Sequence, residues 1–177
     1  MSRIRKFVGF WVILLVYITI PLALAVFSRG LDGIFGFPAL MPEAVNLFLA
    51  AIALLVGIFW VSWAYSYLHY VGKGSPAEVF GVALYPTQCL VATGPYAYTR
   101  NPMVLGLLTL LLGIAFLMNS ISALIMIPIL AVIAVIYIRT FEEPGLVRRF
   151  GEEYVRYRKV TPVLIPAWKP RTQSFDE

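Results

Sequence analysis

Two arginines, an asparagine and two glutamates stand at the edges of apolar runs in this chain, where charge is costly unless it is solvated, paired or used. Arg100 and Asn101 close the stretch QCLVATGPYAYTRNP, and Arg139, Glu142 and Glu143 fall within IRTFEEP. Carboxylates pair with cationic groups and guanidiniums with anionic ones, so such residues gathered in one place could wall a polar pocket. Taken singly, the arginines read as cationic anchors beside membrane helices, and the glutamates as helix-start residues favoured by the helix dipole. Taken together they read differently. A short hairpin between the two stretches returns the chain to one face and brings Arg100 and Asn101 near Arg139, Glu142 and Glu143. Irregular backbone is tolerated at membrane depth when it lines a cavity, and this accounts for the Gly-Pro and Asn-Pro steps at the mouth of an apolar segment.

The elements that must position these residues are set by composition. Of 177 residues, 60% are hydrophobic and 13% charged, against roughly 45–50% and 25% in soluble domains. The chain reads as one compact membrane domain over 1–177, with no room for a separate soluble unit. Apolar segments at about 7–28, 44–71, 103–118 and 121–140 reach or approach the length that crosses roughly 30 Å of hydrocarbon. The expected fold is all-α, a multi-pass bundle of four spanning helices. Only Asn119 and Ser120 separate the last two segments, which predicts a tight antiparallel hairpin packed on itself, and Pro21 and Pro128 should kink their helices.

The net charge of +5 flanks hydrophobic segments instead of forming a basic stripe, which argues against a nucleic-acid partner. Arg3, Arg5 and Lys6 precede the first segment, Lys73 and Arg100 lie between the second and third, and eight basic residues from Arg139 to Arg171 follow the fourth. The first loop holds Arg29 against Asp32 and Glu43. The positive-inside rule then places both termini and the 72–101 loop in the cytoplasm. The stretch Ala23-Leu24-Ala25 has the look of a signal-peptide cleavage site, but the apolar run before it exceeds the usual 7–15 residues. Beyond the fourth segment, Leu146, Phe150, Tyr154 and Tyr157 recur at helical spacing with charged residues between them. With Pro144 as a start signal, this predicts an amphipathic helix lying on the cytoplasmic membrane surface.

A single cysteine, Cys89, excludes an internal disulfide, and a single histidine, His69, leaves no zinc set of ordinary spacing. His69 ends the aromatic run WVSWAYSYLHY and reads as a headgroup contact; Cys89 reads as a packed small side chain. The Gly72–Pro76 stretch GKGSP lacks the ending and the preceding strand of a phosphate-binding loop and reads as a turn.

The ordered set LVATGPYAYTRNPMVLG, an apolar hairpin, then EEPGLVRRFGEEYVRYRKVTPVLIP resembles the C-terminal half of the isoprenylcysteine carboxyl methyltransferases and related membrane phospholipid methyltransferases. There the pattern runs Gly-x-Tyr, Arg-His-Pro-x-Tyr-x-Gly, Glu-Glu, Phe-Gly-Glu-Glu-Tyr and a closing Pro. The resemblance covers about 72–166, a cofactor-binding region; the first two segments carry no comparable signature. It implies an S-adenosylmethionine site in which Gln88, Cys89, Leu90 and Val91 line the cofactor and Tyr96 packs on it. Asn101 stands where the family has a cofactor-contacting histidine, and Glu142, with Glu143 beside it, where the family has the acidic residue that holds the cofactor. Arg139 falls beside the arginine that faces the acceptor, and with Arg100 forms the candidate catalytic pair. The implied acceptor is a lipid-like molecule entering from the bilayer, a carboxylate on an isoprenoid in first place and an amine headgroup in second. Asn101 cannot titrate near neutrality as histidine does, and Val104 replaces a tyrosine; both bear on the acceptor more than on the cofactor. The rivals are a nicotinamide-dependent membrane reductase, whose relatives are longer with more spanning helices, and a non-enzymatic helical scaffold.

Overall fold

The computed structural model describes residues 3–74, 78–79, 82–83 and 86–171. Its elements are α1 (Arg3–Phe35), α2 (Glu43–Tyr70), α3 (Pro102–Leu117), α4 (Ile121–Tyr137) and α5 (Glu143–Val160). A 3₁₀ turn (Gly94–Ala97) precedes α3, and a π-helical turn (Ile138–Glu142) joins α4 to α5. A two-residue antiparallel pair, β1 (Glu78–Val79) with β2 (Val82–Ala83), lies in the loop after α2.

Among the described residues three helical stretches are long and apolar enough to cross a membrane: Leu14–Phe35, Glu43–Tyr70 and Ile121–Val160. They mark an integral membrane protein, and their outward side chains, such as Leu22, Phe48, Leu55 and Val132, are exposed as lipid-facing residues should be. The third apolar helix, α3, has 16 residues and so spans only about 24 Å. It is short because it is the centre of the bundle, with α1, α2 and α4 all packed on it.

The closest pair is α2 with α3, joined by small residues. A Cβ on Gly57 would come within 2.9 Å of the Leu110 backbone nitrogen, and one on Gly106 within 2.9 Å of that of Val61. Ala50, Ala53 and Ala64 continue the buried stripe of α2. Without a hydrophobic drive between helices in lipid, close backbone approach and dispersion hold such a pair. The α3–α4 hairpin forms, turning on Asn119 at φ 52°, but its contact is shared with α1 through Leu24, Leu111, Ala115 and Ala123. Pro21 and Pro128 lie inside helices that run through them.

Two boundaries differ from expectation. α1 runs past Arg29 to Phe35, because the Asp32 carboxylate accepts from the Ser120 hydroxyl and, at 3.0 Å, from the Ser122 N–H at the start of α4. The start signals at Pro144 do mark the first turn of α5, but that helix follows α4 without a break. Proline lacks an N–H and its ring crowds the carbonyl four residues back, and the π turn widens the ladder where that conflict falls.

Candidate active site

The first wall of the site is the chain between α2 and α3. Gly72 and Gly74 let this loop press onto the end of α2: a Cβ on Gly74 would meet the Thr87 backbone at 2.6 Å, and Gln88 N donates to Gly72 O at 2.7 Å. Of the GKGSP turn, Ser75 and Pro76 lie outside the described residues. Gly94, at φ 59°, lies so close to Tyr67 that a Cβ would come within 2.3 Å of its ring, which seats the 3₁₀ turn against α2. Tyr96 is thereby buried with Ala64 and Val91, and burial pushes its hydroxyl pKa well above the ordinary value.

Arg100 and Asn101 follow, held by the segment after α5. Arg100 N donates to Pro162 O at 2.9 Å, Asn101 Nδ2 donates to Val163 O at 2.9 Å, and the Thr99 hydroxyl shares that acceptor at 3.3 Å.

The second wall is the π turn and α5. Between the walls lies a cavity of about 170 Å³, lined by Leu68, Thr87, Leu90, Val91, Tyr96, Arg100–Val104, Glu142, Leu146, Arg149, Phe150, Tyr154 and Tyr157. Gly151, with φ 55° and ψ −134°, breaks the helical geometry of α5 between Phe150 and Tyr154. Tyr157 donates its hydroxyl to Tyr96 O at 2.7 Å and so ties the two walls together. Arg149 Nη2 does the same across the rim, donating to Thr87 O at 2.8 Å and to its Oγ1 at 3.1 Å.

The two neighbouring glutamates stand on different sides of the wall. Glu143 is buried between Arg100 at 2.9 Å and Arg158 at 3.4 Å, and Arg100 Nη1 also donates to Arg158 O at 3.0 Å. This neutralises Glu143 in a structural cluster behind the wall. The buried Nε of Arg100 makes no hydrogen bond, and Glu142 and Arg149 line the cavity itself.

Of the ten residues singled out in the sequence, Leu90, Val91, Tyr96, Arg100, Asn101 and Glu142 meet in the cavity lining. Gln88 and Cys89 are exposed outside it, and Cys89, expected to be packed, presents its thiol toward Val71 O at 3.3 Å. Glu143 stands behind the wall. Arg139, expected beside Arg100 and Asn101, is exposed and outside the lining, because the π turn that buries Ile138 leaves its neighbour pointing outward. His69 is exposed and stacked on Tyr65.

Arg149 and the face Leu146, Phe150, Tyr154, Tyr157 were missed as site residues. That face was read as lipid-facing; it covers the cavity instead, and Tyr154 and Tyr157 are each only 2% exposed. Two tyrosines on an otherwise apolar stripe were the available signal, since a buried hydroxyl needs a protein partner.

A ligand with both an ammonium and a carboxylate fits these residues. Glu142 suits the ammonium. Arg149, with Arg100 beside it in the lining, and the first-turn N–H groups of α3 suit the carboxylate, since the first turn of a helix leaves N–H groups without intrahelical partners. Tyr96, Phe150, Leu68 and Val91 supply apolar surface for a flat ring. The phospholipid methyltransferase family model matches residues 45–153, well over half of the chain. Comparison with curated proteins and with solved structures gave no match.

Proposed function

The chain belongs to the phospholipid methyltransferase family, a family of membrane methyltransferases that generally uses S-adenosylmethionine, and from that premise we propose that it methylates a lipid-like acceptor at the cavity between the α3 entry and α5. The observation that carries this reading is the cavity lining, in which one carboxylate and two guanidiniums surround an apolar floor. S-adenosylmethionine supplies an activated methyl group when bound. The chain supplies alignment and dryness. Glu142 would hold the ammonium and Arg149, with Arg100 beside it, the carboxylate, while Tyr96, Phe150 and Leu68 exclude water from the reacting end. Glu143 acts through Arg100, fixing its guanidinium beside the cavity. We place the cavity on the cytoplasmic side, on the basic flanks of the spans.

A carboxylate acceptor, such as that on an isoprenoid, fits this lining best. Such a nucleophile carries no proton on its attacking oxygen and needs no base, whereas an amine does. The family match favours an amine headgroup as the second reading. A protonated amine must lose its proton before it can attack, and Glu142 cannot both hold the donor's ammonium and accept that proton. The two readings therefore differ in pH profile: flat through neutrality for a carboxylate, rising with pH for an amine.

The test is titration of S-adenosylmethionine, with a nicotinamide cofactor in parallel, into detergent-purified protein. Labelled-methyl transfer to a prenylated cysteine carboxylate and to phosphatidylethanolamine then follows. Saturable binding of the sulfonium alone is expected. Binding of the nicotinamide instead, or of neither by folded protein, would overturn the reading.

A further inference from the structure

Downstream of α5 the chain does not leave the bundle. Thr161 and Leu164 are buried, Ala167 N donates to Tyr98 O at 2.8 Å, and Arg171 N donates to Ala97 O at 2.8 Å. Yet on this pinned strap Ile165 is 80% exposed and Trp168 97%. Lys169 and Arg171 beside them are exposed as well. An indole held in place by backbone hydrogen bonds and left wholly in water forfeits a large apolar burial.

The level of the strap says what covers it. Tyr98, whose carbonyl accepts from Ala167, packs on Trp63 and Trp60 of α2 with ring centroids 6.0 and 6.5 Å away. Those tryptophans belong to the aromatic run at the end of a membrane-length helix, and such belts mark the boundary between hydrocarbon and headgroups. One backbone hydrogen bond fixes the strap to that boundary, so Trp168 lies at it too. Lys169 and Arg171 carry the charge that suits acidic headgroups.

We propose that residues 162–171 form a membrane anchor, with Trp168 and Ile165 inserted in the headgroup layer and Lys169 and Arg171 on acidic phospholipids. The anchor bears on the cavity. Val163 O accepts from Asn101 Nδ2 and Thr99 Oγ1, so seating the strap in the bilayer fixes the entry to α3 and faces the cavity toward a bilayer-borne ligand. The strap lies beyond the 45–153 family match, and its test needs no methyl transfer.

Trp168 is one of four tryptophans, so the difference between wild type and Trp168→Phe isolates its emission. The full chain is reconstituted in bilayers containing acidic phospholipid, with and without bromine on the upper acyl chain. The Trp168 component should be blue-shifted, quenched by the brominated lipid and sheltered from aqueous acrylamide, and Lys169→Gln with Arg171→Gln should shift it to the red. Ile165→Trp in the Trp168→Phe background should report the same environment from the neighbouring position. Emission typical of water, open to acrylamide and indifferent to brominated lipid, at both positions, would overturn the anchor and leave the strap as a surface for an aqueous partner.

Discussion

At one end of the bundle Asp32 accepts from Ser120 and Ser122, and Asn119 accepts from Leu40 N at 2.7 Å while donating to Met41 O at 3.0 Å. These side chains spend their polarity closing α1, the α1–α2 loop and the α3–α4 turn upon one another. At the opposite end the same kinds of group, carboxylates and amides at helix termini, are arranged differently. Glu143 pairs with Arg100, Glu142 and Arg149 line a cavity, and Arg100 keeps a buried N–H without a hydrogen bond. A buried donor left unmade costs about 1–3 kcal/mol. The contrast separates a polar cluster spent on holding the fold from one arranged about a cavity, and residue type alone does not distinguish them.

The comparison can be broken by mutation, beginning with the largest effect. Glu143→Gln leaves Arg100 buried without its counter-charge and should destabilise the protein by about 3 kcal/mol or more, read as a lowered thermal midpoint in detergent. Asp32→Ala removes the two hydrogen bonds that tie α1 to the start of α4 and should cost about 2 kcal/mol, with no change in affinity for S-adenosylmethionine. Alkali should act at the cavity end. Burial raises the Tyr96 pKa, so the stabilisation is complete below the ordinary tyrosine value of about 10 and is lost as pH rises above it; Tyr96→Phe should lessen that alkaline loss in a pH series of thermal midpoints. Arg149→Ala, on an exposed side chain, should change stability by no more than about 0.5 kcal/mol while weakening the same ligand's affinity, because the rim tie to Thr87 and a cavity cation go together.

Much of the fold was legible because hydrophobic length is a strong signal. The second, third and fourth spans were read to within a residue or two at their starts, and the all-helical architecture followed from them. The end of α1 was not legible, because Asp32 reads as a loop residue until its partners on α4 are known. Nor was the π turn that runs α4 into α5 just before Pro144, where the start signals pointed to a separate helix. In the site, Arg100, Asn101 and Glu142 were found because they interrupt apolar runs. Arg149 was lost among the charges of an amphipathic tail, and the Tyr154/Tyr157 face was given to lipid because periodicity reports that a face is apolar without naming what it faces.

The most direct test is calorimetric titration of S-adenosylmethionine into wild type, Glu142→Gln and Asp32→Ala, each shown to be folded by its thermal transition. The account predicts saturable binding to wild type, the same affinity in Asp32→Ala despite its lower midpoint, and binding abolished in Glu142→Gln at a near-unchanged midpoint. Undiminished binding to Glu142→Gln, or equal loss from both variants, would contradict the assignment of a ligand-holding end and a fold-holding end.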